Sequence, residues 1–137
     1  MPGWGAGSFE NEDAQNFLAV LHLKTPDELK QILARAAEET DYLDASQSGV
    51  VIVAAEVVAT AKGAAPQTVP RQILEWVSKI EGAPSDEMNE LAQRAVNKVR
   101  VNSELKDLWQ EAEGLNEWSA VLRELEGRLA GKARSAV

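Results

Sequence analysis

"VVIVAAEVV" at residues 50–58 is the stretch whose reading decides the fold. Its valines and isoleucine favour a strand on β-propensity alone. Its alanines do not, and neither does the spacing of the punctuation around it. Asp44 or Ser46 can start a helix and Gly63 can cap its end, leaving roughly 16 residues between the signals, which is helix length rather than strand length. A helix is therefore predicted over 45–62. Between Gly49 and Ala61 its polar residues are Glu56 and Thr60 only, and a helix apolar on all sides belongs in the middle of a core.

The same period recurs outward in both directions. Ala14, Phe17, Leu18 and Leu21 share one face of a first helix, with Glu12 and Asp13 in its first turn, where the helix dipole favours acids. Thr25, Pro26 and Glu28 form a capping signal for a second helix, which buries Leu29, Ile32, Leu33 and Ala36. "GAAPQTVP" at 63–70 is a loop, and Pro70 opens a fourth helix through Ile73, Leu74, Val77 and Ile80. Ser85 caps a fifth, which ends at Asn102 or Ser103. A sixth helix carries Leu105, Leu108 and Trp109 and closes at Gly114; a seventh carries Trp118, Val121, Leu122, Leu125 and Leu129. The expectation is an all-α fold: one compact domain over 1–137, about seven helices, the 45–62 helix central, a glycine-rich N-terminal arm (1–10) packed on it, and a frayed tail over 131–137.

Composition narrows the function classes. The 137 residues suit one core, with 14 Lys+Arg against 22 Asp+Glu for a net charge of −8. Nine acids and three bases fall in residues 1–47, so the excess belongs to the N-terminal third. That distribution argues against nucleic acid or an anionic membrane and suits a basic protein partner. The absence of cysteine removes disulfides, thiol nucleophiles and thiolate metal sites, and a single histidine, His22, removes multi-histidine ones. The longest apolar run is too short to span a bilayer and no secretory signal opens the chain, so a cytoplasmic location is expected.

Glu56 is the carboxylate expected to be buried, and a buried carboxylate needs a partner; Arg71, Arg94 and the chain's own amino terminus are the candidates. A structural salt bridge is the plain reading, and a ligand-binding or general-base carboxylate the functional one. "GWGAG" at 3–7 has the glycines of a phosphate loop without the preceding strand or the immediately following helix, and acids follow it. Its glycines fit close backbone approach better, with Trp4 and Phe9 as anchors. "ENED" at 10–13 lacks the ligand alternation of a calcium loop; Asn11 or Asp13 is expected to cap a helix, with a divalent ion shared with Glu56 as the alternative. Trp76, Trp109 and Trp118 lie on or beside apolar stripes, as core residues, while Trp109 and Trp118 could equally present an aromatic partner surface.

The run "GWGAGSFENEDAQNFL", the "YLDASQ" leading into "AAEVVA", and "NSELKDLWQE" resemble, in that order, the bacterial family DUF4259. Trp4, Gly5, Gly7, Phe9, Asn11, Asp13 and Ala14 carry the most specific part of the resemblance; Pro2 adds a residue before it, and Asn16 stands where an acid is expected. The resemblance implies no established activity, cofactor or catalytic residue. It directs attention to Trp4, Gly5, Gly7, Phe9, Asn11, Asp13 and Glu56 as a motif that is either structural or ligand-binding. The preferred reading is a non-catalytic interaction protein of immunity or antitoxin type that meets a basic partner with its acidic N-terminal third. The alternative is a small-ligand or divalent-metal domain, with an enzyme left open, built from Glu56, Asp13, Asn11 and Trp4.

Overall fold

A computed structural model describes residues 5–131. It contains seven α-helices: α1 (Glu12–Val20), α2 (Pro26–Ala37), α3 (Ala45–Ala61), α4 (Arg71–Ser78), α5 (Asp86–Val101), α6 (Glu104–Glu111) and α7 (Leu115–Leu129), with a 3-10 turn at Leu21–Leu23 after α1. Among the described residues there is no sheet, only an isolated parallel bridge between Leu43 and Ser103. The predicted frayed tail lies, apart from Gly131, outside the described residues.

The stretch at 50–58 is helical, and local chemistry sets its start. Asp44 accepts the Gln47 backbone N–H at 2.7 Å while the Gln47 side chain accepts the Asp44 N–H at 3.3 Å, so two otherwise orphaned donors are satisfied reciprocally. Every residue from Val51 to Ala59 is buried. α3 accordingly packs against each of the six other helices. No surface helix could do so, because an amphipathic helix has one face to bury and this one has all of them.

The other six helices are amphipathic and close around α3. α2 lies along both α3 and α5, and α7 packs on α3, α5 and α6. The α1 N-terminus meets α3 at Gly49, where an added Cβ would stand 3.0 Å from the Asp13 Cβ and 3.3 Å from Asn11 Oδ1; glycine permits that approach. The Leu43 bridge ties the lead-in of α3 to the α5–α6 junction: the Glu104 N–H donates to Leu43 O at 2.8 Å, and the Glu104 carboxylate accepts the Ala45 N–H at 2.9 Å. α6 ends at Glu111, and the Gly114 N–H closes it by donating to the Trp109 carbonyl at 2.9 Å, with Glu113 (φ 62°) as the left-handed residue of that turn. Gly114 also admits a close approach, since a Cβ there would sit 2.7 Å from the Trp109 ring.

Candidate functional site

Glu56 is 2 % exposed, near the middle of α3, and its partner is Arg128 of α7, itself 2 % exposed. Nη1 donates to Glu56 Oε1 at 3.0 Å and Nη2 to Oε2 at 3.2 Å, a two-pronged pairing that suits the planar fork of a guanidinium. Nη1 also donates to the Ala64 carbonyl at 3.0 Å, and Nε to the Glu124 carboxylate at 2.8 Å. Burial opposes the charge on Arg128, and the hydrogen bonds and charges of Glu56 and Glu124 more than offset it, so the guanidinium pKa ends above its ordinary value. With the cationic pKa raised, the contribution of the guanidinium's own ionisation is complete below the ordinary arginine value and is lost only in strong alkali, and it holds for as long as its carboxylate partners carry their charge.

The third member of the cluster comes from the N-terminal arm. Ser8 is buried and its hydroxyl donates to Glu56 Oε2 at 2.6 Å. This side chain fastens the arm to the central helix. Both Glu56 oxygens are thus occupied from within the chain. The partners expected for Glu56 are corrected accordingly: Arg71 is 85 % exposed in its side chain and lies 3.8 Å from Glu75, Arg94 is exposed on α5, and the amino terminus lies outside the described residues.

The remaining motif residues do other work. Trp4 lies outside the described residues. The Gly5 N–H donates to the Glu10 carbonyl at 3.2 Å and the Gly7 N–H to Glu10 Oε1 at 2.8 Å, so the loop's own acid sits where a phosphate loop would hold its anion. Phe9 packs on the core, and its carbonyl accepts from Gln15 at 2.7 Å. Asn11 caps α1 by accepting the Ala14 N–H at 2.9 Å, and Asp13 accepts from the Ser46 hydroxyl at 3.3 Å. Asn11 and Asp13 therefore meet α3 at its start, at Ser46 and Gly49, about two to three turns before Glu56. Among the described residues no group of three His, Asp or Glu side chains is placed to hold a metal ion. Trp109 and Trp118 are 3 % and 2 % exposed, which corrects the partner-surface alternative: their rings are in the core.

Sequence reasoning missed Ser8 and Arg128. Ser8 sits inside the glycine-rich run with nothing local to distinguish it. Arg128 did carry a signal: it follows Leu122 and Leu125 at helical spacing and adjoins Leu129, so an arginine interrupts a buried stripe.

A second feature lies where the starts of α1, α3 and α6 come together. Glu12, Asp13, Asp44, Glu104 and Asp107 occupy first turns or cap positions there, and none enters an ion pair among the described residues. A hollow of about 120 Å³ between Asn11, Glu12, Asp13, Ala45, Leu105 and Leu108 marks their meeting point. Tyr42, which precedes Leu43 of the bridge, is 52 % exposed and donates to Asp107 Oδ2 at 2.6 Å. That hydrogen bond, with partial desolvation and the charges of Asp107, Glu104 and Glu111, pushes the phenol up to about 12. Tyr42 is the chain's one tyrosine, so an ultraviolet absorbance titration reads it alone. The unaltered protein should ionise near pH 12, and Asp107→Asn should bring the midpoint down toward the ordinary value of about 10. Because the folded value is the raised one, the contribution of this contact to stability is complete below the ordinary phenol pKa and is lost as pH climbs through about 12.

The sequence matches the family DUF4259, described as a domain of unknown function, over residues 3–121. The chain belongs to that family. The matched span includes Ser8 and Glu56 and ends before Arg128. No curated protein and no solved structure shows a detectable match to the chain.

Proposed function

We propose that this DUF4259 domain is a non-catalytic interaction module, of the immunity or antitoxin kind, that docks a basic partner protein on the face around Tyr42. The observation that carries the reading is the unneutralised acidic rim of that face: Asp107, Glu104 and Glu111 bear on an exposed aromatic ring, Glu12, Asp13 and Asp44 occupy the adjoining helix starts, and the ion pairs of the described residues lie elsewhere. An exposed tyrosine flanked by carboxylates can take an arginine or lysine by cation–π contact and by charge at once. The buried carboxylate supports the same side of the choice, since Glu56 has both oxygens engaged by Arg128 and Ser8.

Capture from a lysate of the native host, with the domain immobilised, tests the reading. A specific protein of basic character should be retained at about 0.05 M salt and released at about 0.5 M, where exposed charges are screened. Tyr42→Ala and Glu111→Lys should each cut retention by about tenfold or more without moving the melting temperature appreciably. Retention indifferent to salt and to both substitutions would refute the assignment of this face.

A further inference from the structure

A cleft remains on another part of the molecule. It lies between the α1–α2 connection and α4, has a volume of about 380 Å³, and so falls within the size range of small-molecule sites. Leu18, Pro26, Trp76 and Ile80 give it an apolar interior. A smaller hollow of about 200 Å³ shares Pro26, Trp76 and Ile80 and continues that apolar surface under the 81–85 segment. The Trp76 indole N–H donates to the Lys24 carbonyl at 2.8 Å, which fixes the ring and holds the Lys24 backbone against it. The site is therefore largely formed before anything enters.

Charge selects the ligand class. Lys24 and Lys79 both line the cleft, with His22 beside them, and the ion pairs among the described residues use Lys30, Arg71, Arg100 and Arg128 instead. Glu75 is the one acid lining it. Glu75 lies 3.8 Å from Arg71, so its charge is already matched, and Glu81 lines only the smaller joined hollow, which leaves Lys24 and Lys79 as the cations of the cleft itself that no ion pair among the described residues uses. Two such cations at the edge of an apolar cleft favour an anion there. We infer that this cleft binds a small organic monocarboxylate, whose apolar body lies against Trp76, Pro26 and Ile80 and whose carboxylate is met by Lys24 and Lys79 at the mouth. The site is separate from the acidic face, and neither assignment depends on the other.

Nuclear magnetic resonance titration of the full chain with 3-phenylpropionate and with octanoate tests this directly. At least one acid should give saturable shifts in the Trp76 indole N–H and in the Leu18 and Ile80 methyl groups below about 10 mM. The neutral 3-phenylpropionamide should bind about tenfold more weakly than its acid, and Lys24→Met with Lys79→Met should weaken the acid by about as much. Three results would overturn the inference: no saturable shift from either acid, equal binding of acid and amide, or shifts centred instead on a different hollow of about 300 Å³ that Ile32, Leu43 and Val50 help to line. The acid and amide comparison uses the unaltered protein, so it stands even if the double variant fails to fold.

Discussion

Arg128→Met should lower the unfolding free energy by about 3–5 kcal/mol, because it leaves the Glu56 carboxylate buried beneath the arm without its cation. Ser8 would still donate to Oε2, but a single hydroxyl does not replace a guanidinium that reaches both oxygens. Glu56→Gln should cost less, about 1–3 kcal/mol, since Arg128 keeps the Glu124 carboxylate and the Ala64 carbonyl. The paired change Glu56→Leu with Arg128→Met removes both charges together and should recover most of what Arg128→Met loses, as buried ion pairs replaced by apolar side chains commonly do. Urea unfolding of the parent, Glu56→Leu, Arg128→Met and the double variant closes the cycle and gives the coupling between the two positions. Costs that simply add would show that the pair is not the unit described. Capture of a partner by folded Glu56→Gln should equal that of the parent; a folded variant that has lost capture would return Glu56 to the functional site.

The legibility of this fold follows from where its determinants sit. α3 could be read because helix caps and length are local, and Asp44, Gln47 and Gly63 lie within the stretch they delimit. The all-round burial of α3 was equally plain, since a helix with no polar face leaves no orientation open. Glu56 could be singled out as buried for the same reason, yet its partner could not be named. Arg128 is 72 residues away and reaches Glu56 only through the packing of α7 on α3, which no local pattern encodes. The glycines of the N-terminal run point to close backbone approach, but the residue that fastens the arm is Ser8, whose role exists only once the arm lies over α3. The acidic face has the same origin: Glu12 and Asp13 belong to the N-terminal third, but Glu104 and Asp107 join them through the Leu43 bridge to the α5–α6 junction. Charge counted along a chain underestimates a surface assembled from three helix starts.

Trp118→Ala is the second large effect, expected to cost about 3–5 kcal/mol. Trp118 opens the buried stripe of α7 that continues through Leu122, Leu125 and Leu129, and it is 2 % exposed. Removing the indole leaves a cavity that α7 cannot close by a small shift, because the same helix is held at its other end by the Arg128 contacts to Glu56 and Ala64. Trp118→Phe keeps an aromatic ring in the site and should lose less than half as much, since it forfeits one ring of burial rather than the whole side chain. The two substitutions also separate core from interface. With the ring inside, both variants should shift the urea midpoint in that order and leave partner capture intact under conditions where they remain folded. Capture lost by a stably folded Trp118→Phe would instead place the indole against the partner. Tyr42→Ala should show the opposite pattern, weak in unfolding and strong in capture, because its ring is half exposed and its single described hydrogen bond is to Asp107 at the surface.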